Sequence, residues 1–158
     1  MNQRKCDTLP TKECPVVVTV VSAAMDASGQ PEGAPMRLQV PGTVEKRGSS
    51  VMLHYTEKLE DEGDHTLITT QVHMLLAESR IVVMRKGRWS MMMVLEKGRR
   101  YTDDYHTPYG DLPMSVYPTQ VSFHETEKGG AAVMRYQLGL QGGESGYHTI
   151  DVKYEYAS

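Results

Sequence analysis

The sequence predicts an all-β protein, a closed antiparallel barrel of about eight to ten strands. Three observations carry this. Residues 131–141 and 146–156 alternate apolar with polar on either side of a Gly-Gly-Glu-Ser turn, the period-two pattern of strands with one buried face. The same alternation recurs through 51–59, 66–76 and 80–96. No stretch carries helical periodicity long enough to form a helix. So many strands in one small domain expose sticky edges unless the sheet closes on itself.

Residues 1–14 are expected to form a flexible leader, and 15–158 a single domain. Val16–Val21 is a β-branched run too apolar for a strand with a wet face. Residues 26–35, with two prolines and two glycines, form a loop. A strand follows from about Met36, bent at Pro41-Gly42. Lys46-Arg47-Gly48-Ser49 turns the chain into a strand with Val51, Leu53, Tyr55, Glu57 and Leu59 on one face. An acidic turn centred near Glu62 leads to a strand over Thr66–Leu76.

Lys86-Gly87 reads as a two-residue loop joining strands 80–85 and 88–96. That register sets Met84 opposite Trp89 and Val82 opposite Met91. It places Val82, Met84, Trp89, Met91, Met93 and Leu95 inside. The other face carries Ile81, Val83, Met92 and Val94, so cover is expected on both sides. Thr107–Gly110 fits a type I turn. Strands run from Leu112 to Glu125, with breaks at Pro113 and Pro118. In the final pair, Met134, Tyr136, Leu138 and Leu140 share a face, as do His148, Ile150, Val152, Tyr154 and Tyr156. Partners must therefore sum to an even number, with Leu138 or Leu140 opposite His148.

A chain of 158 residues with 39% hydrophobic and 23% charged residues is long enough to bury a core. The net charge of −3 gives no general pull toward nucleic acid or anionic lipid. The first residues lack the apolar segment of a secretory signal. No segment approaches the roughly 18 apolar residues of a membrane helix. Cys6 and Cys14, in or beside the polar leader, read as reduced thiols of a cytoplasmic protein.

Several short stretches together resemble one family. They are Leu53-His54-Tyr55-Thr56-Glu57, Met84-Arg85-Lys86-Gly87, Tyr105-His106-Thr107-Pro108-Tyr109-Gly110, Thr119, and Tyr136-x-Leu138. In order and spacing, from about Val16 to Tyr156, they resemble the YwiB-like family, bacterial proteins of unknown function. The resemblance implies a calycin-like barrel, similar in shape to lipocalins and fatty-acid-binding proteins. It carries over no catalytic residue, and it implies a Gram-positive bacterial source and a cytoplasmic location. The Met91-Met92-Met93 run and the longer leader depart from the pattern.

Glu57 lies in phase with apolar neighbours, and a buried carboxylate must be paired, neutralised or hydrogen-bonded. Arg85, Arg37, Tyr55 and Tyr136 are its partners by type. As a polar anchor in an apolar pocket it would orient a ligand's head group. The competing reading is a structural network near a barrel end. The candidate ligand-binding set is Tyr55, Glu57, Arg85, Trp89, Tyr136 and His148. None of the six histidines falls in an H-x-H, H-E-x-x-H or Cys/His cluster, so no metal is expected. The turn near Glu62 would set His54 opposite Thr70, away from His73. No nucleophile stands on a G-x-S-x-G signature. Gly129-Gly130 and Gly142-Gly143 read as hairpin-loop glycines, with no helix N-terminus behind them to bind phosphate. The basic residues at strand ends, from Lys46 to Arg100, read as a solvated rim despite Trp89 and Tyr101 among them. Met84, Met91, Met93, Met114 and Met134 fit either a core or a permissive pocket.

These readings favour a non-enzymatic binding module for a small apolar or amphipathic ligand, without catalytic residues, cofactor, nucleic acid or membrane. The alternative is an assembly module with a filled barrel, a homodimer through residues 80–96 being one form of it.

Overall fold

In a computed structural model, residues 13–26, 28–61, 63–140 and 146–157 are described. Their strands are β1 (Cys14–Met25), β2 (Met36–Arg47), β3 (Ser50–Glu60), β4 (Leu67–Ala77) and β5 (Arg80–Lys86). There follow β6 (Met91–Glu96), β7 (Tyr101–Thr107), β8 (Gly110–Thr126), β9 (Gly129–Leu140) and β10 (Gly146–Tyr156). All ten belong to one antiparallel sheet, ordered β6-β5-β4-β3-β2-β1-β10-β9-β8-β7. The sheet curls into a nearly closed barrel. Its two edge strands meet where Ser90 and His106 exchange backbone hydrogen bonds of 2.8 and 2.9 Å. The described residues contain no helix, and so none long and apolar enough to cross a membrane.

Alternation puts one set of side chains inside. At one end Val16, Val18, Val51, Leu53, Leu76, Ile81, Leu95, Val116, Val152 and Tyr154 are buried and fill the barrel. Tyr154 stacks on Phe123 with ring centroids 6.5 Å apart. Its ring also lies across Gly130, where a Cβ would sit 2.7 Å from ring atoms. Gly129 and Gly130 therefore open β9 within the ladder, opposite Glu155 and Tyr154. They are not the loop glycines expected from sequence; the turn is Glu127-Lys128.

Toward the other end the wall splits. β2 pairs with β1 from Cys14↔Val44 to Ser22↔Met36, but with β3 only from Gly42↔Tyr55 to Arg47↔Ser50. The bend expected at Pro41-Gly42 is where β2 leaves β3. Gly42 is required there, since a Cβ would meet the His54 carbonyl at 2.6 Å.

Several expected registers differ. Arg85 pairs with Met91 and Val83 with Met93, so the partner of Met91 lies three residues beyond Val82. The odd slip exchanges the faces of β5, while β6 keeps Met91, Met93 and Leu95 inside as expected. Ile81, Val83, Met93 and Leu95 are buried, while Val82, Met84, Met92 and Val94 face outward. The connection spans Gly87–Ser90, and Gly87 is not among the glycines with positive φ. Ser90 Oγ instead holds the loop, accepting from Gly87 N at 3.2 Å and donating to Gly87 O at 3.1 Å. In the final hairpin the partners do sum to an even number, but His148 faces Tyr136 rather than Leu138 or Leu140.

His54 does pair with His73, their ring centroids 4.4 Å apart, because the turn before β4 extends to Thr66. His65 sits in that turn at φ 61°. β8 runs unbroken through Pro113 and shifts register between Pro118 and Gln120. Tyr101–Thr107, given no strand by its sequence, forms the edge strand β7. Cys14 begins β1, buried and disulfide-bonded rather than a reduced leader thiol. Cys6 and the rest of the expected leader up to residue 12 lie outside the described residues, as do Gly142-Gly143.

Candidate functional site

Above the packed end the barrel is hollow. A cavity of about 470 Å³ opens there, walled by Val20, Met74, Val83, Met91, Met93, Leu138 and Ile150. It exists because the inward positions of β1 shrink toward the mouth, from Val18 and Val20 to Ser22 and Ala24. The loop after β1 folds back over the rim. Glu32 N donates to Ala24 O at 2.8 Å, bringing Glu32 and Ala34 to the cavity. Asp26 organises this loop, its Oδ1 accepting from Ser28 N, Ser28 Oγ and Gln30 N at 3.0, 2.7 and 2.9 Å.

Five of the six residues expected to contact a ligand line this one cavity: Tyr55, Glu57, Arg85, Tyr136 and His148. Glu57 is 4% exposed, and Arg85 Nη2 donates to its Oε1 at 2.6 Å. Of the partners expected for Glu57 by residue type, Arg85 supplies the ion pair; Arg37 is exposed. Burial by itself pulls the Arg85 pKa down. The hydrogen bond and charge of Glu57 outweigh it and raise the Arg85 pKa, helped by Tyr55 and Tyr105. Among the described residues this is the only hydrogen bond of either side chain. Most donors of the guanidinium fork and one carboxylate oxygen are left without a protein partner.

Tyr55 and Tyr136 are buried, and neither hydroxyl hydrogen-bonds to a described residue. Burial pushes the pKa of each up to about 12. Both phenols keep their protons at neutral pH and can donate as well as accept. His148 stacks on Tyr136, centroids 5.5 Å apart at 9°. Burial pulls its pKa below the ordinary value, against the opposing charge of Glu32, so its ring is neutral near pH 7.

Trp89 is the exception. On the loop between β5 and β6 it is 39% exposed, edge-on to Tyr105 at 5.8 Å and Tyr109 at 6.4 Å. Tyr105 lines the cavity and Trp89 packs behind it. Tyr105 and Glu32 are not legible as site residues in the sequence, because one lies on a strand whose inward face is interrupted by Asp103 and the other in a loop. Met91 faces inward as its sequence phase predicts, opposite Arg85 rather than Val82.

Among the described residues that line the cavity, Glu57 and Arg85 form the only ion pair. No group of three or more His, Cys, Asp or Glu side chains able to hold a metal occurs among the described residues. What it offers is an apolar enclosure with one cluster of polar groups.

A family model described as "Domain of unknown function (DUF1934)" matches residues 18–152. No curated protein matches the chain. Among solved structures it is similar to the "Crystal structure of ywiB protein from Bacillus subtilis", at 20% identity and a TM-score of 0.77. The match covers 96% of this chain and 99% of that one. At that identity the likeness speaks for the fold alone.

Proposed function

This chain belongs to the DUF1934 family, a domain of unknown function, and we propose that it is a binding module holding a small apolar or amphipathic molecule in the open half of its barrel. One observation carries this: an apolar cavity of about 470 Å³ with buried Glu57 paired to half-buried Arg85 in its wall. Neither feature favours stability. An unfilled cavity forfeits packing energy in proportion to its volume. A buried ion pair is often no better than hydrophobic residues of the same shape. Both are natural in a site that encloses an apolar body and orients a polar head.

Native mass spectrometry of the purified protein tests this reading, together with calorimetric titration of octyl amphiphiles. A bound small molecule or saturable heat is expected in the wild type. Both should vanish in Leu138→Trp, which fills the cavity, while its melting temperature is kept. No retained ligand and no binding heat in the wild type would overturn it.

The assembly alternative draws on the outward apolar stripe of β5 and β6, where Met92 is 38% exposed. The same spectra report oligomeric state. A dimer dissociated by Met92→Glu, without any small ligand, would favour that alternative.

A further inference from the structure

We infer that the cavity selects an uncharged head group bearing a carbonyl, a primary amide or its chemical equivalent, over a carboxylate or an ammonium. This rests on the proposed binding role of the cavity and goes further in naming what the polar cluster reads. Three observations lead to it.

The first is charge. Glu57 already neutralises Arg85 across 2.6 Å, and His148 is neutral for the reason given above. Glu32 reaches the cavity only from the exposed rim, where solvent screens it. A charged head group would bring a third charge to a pair already balanced and largely withdrawn from water, at a desolvation cost nothing in the wall repays. An ammonium beside Glu57 would also face Arg85, and a carboxylate beside Arg85 would face Glu57.

The second is the count of unused hydrogen-bonding groups. Arg85 retains free N–H donors, and the protonated hydroxyls of Tyr55 and Tyr136 are unpaired among the described residues. The third is their placement. Tyr55 and Arg85 stand in one row across β3, β4 and β5, both paired with Val72, and with Tyr105 and Tyr136 they line the same cavity. A carbonyl oxygen with two lone pairs can accept from the guanidinium and a phenol together. The remaining oxygen of Glu57 can accept an amide N–H. An amide matches both signs of the cluster without adding charge, and a methyl ester matches only the donors. A site with buried hydrogen-bonding groups discriminates strongly against ligands that leave them unpaired.

The test is isothermal titration of the whole protein with octanamide, octanoate and octylammonium at neutral pH. Octanamide is expected to bind at least about tenfold more tightly than either ion, roughly one step on the logarithmic affinity scale. In Glu57→Gln, which removes the counter-charge of Arg85 in an isosteric side chain, octanoate should overtake octanamide. If that variant fails to fold, the wild-type ranking decides alone. Octanoate or octylammonium binding as well as octanamide in the wild type would overturn the head-group assignment while leaving cavity binding intact. A folded Glu57→Gln variant that keeps the wild-type ranking would overturn it equally. Binding of none of the three would bring down both readings.

Discussion

Removing one half of the Glu57–Arg85 pair leaves a charge where water reaches it poorly. Arg85→Met should cost about 3 kcal/mol, the lower end for a broken buried pair because the arginine side chain still meets solvent. The double variant Glu57→Leu/Arg85→Met should recover most of that loss in urea melts. Equal loss in single and double variants would mean that the positions matter for packing and not for charge. His148 supplies a pH signature. Burial lowers its folded pKa below the ordinary 6.5, so the unfolded chain binds the proton more readily. Its contribution is complete above about pH 6.5 and is lost as pH falls from there toward the folded pKa. His73, also lowered by burial and by neighbouring His54 and Lys86, acts with the same sign. His148→Phe, which keeps the stack on Tyr136, should flatten part of the decline in stability between neutral and mildly acidic pH. An unaltered pH profile would show that His148 does not titrate with folding.

Between elements, the instructive case is the β5–β6 hairpin. Period two is readable in each of these strands by itself, because inward residues face either the packed end or the largely apolar cavity. Register was not, because it depends on the loop. A Lys-Gly pair suggests a tight turn with left-handed glycine, yet Gly87 is needed for another reason. A Cβ there would sit 2.8 Å from the Thr69 carbonyl oxygen on β4. Gly87→Val should destabilise by about 1–3 kcal/mol through that overlap, and Gly98→Ala in the next turn through its φ of +77°. A Gly87→Val melting curve matching the wild type would contradict the close approach. The same slip explains why Trp89 alone of the candidate residues misses the cavity. Glu57, Tyr55, Tyr136 and His148 sit on strands whose faces were legible; Arg85 was named for its charge. Trp89 should show native emission close to that of a solvent-exposed indole and be quenched by iodide. A blue, unquenched emission would restore the inward placement. β7 is hard to read because Asp103 interrupts its inward face of Tyr101 and Tyr105 and Thr102, Asp104 and His106 make the other face polar, as suits an edge strand.

Across the whole molecule, the barrel is uneven in how tightly it is closed. The ladders of β3 with β4 and of β1 with β10 run nearly the full length of their strands. β6 and β7 are joined by the single Ser90–His106 bridge, with Gly98 N donating to Pro118 O at 2.8 Å nearby. β2 and β3 part beyond Gly42 and Tyr55, leaving a gap lined by Leu38, Val40, Pro41 and Lys58. Unpaired strand edges open at low free energy, whereas a ladder buried on both flanks opens only with global unfolding. Amide hydrogen exchange should therefore be slowest in the middle of β1, β4 and β10. It should be fastest in residues 36–41, 56–60 and 103–107, which are paired along one side only, the His106 bridge to Ser90 aside. Both weak places adjoin the cavity: Met36 and Leu59 flank the β2–β3 gap and Tyr105 the β6–β7 seam, and all three line it. A ligand seated there should slow exchange at the gap, the seam or both, and slow the centre of β1 and β10 as well by its contribution to global stability. Uniform exchange around the barrel would mean that the wall opens only as a whole, with neither gap nor seam as a route inward.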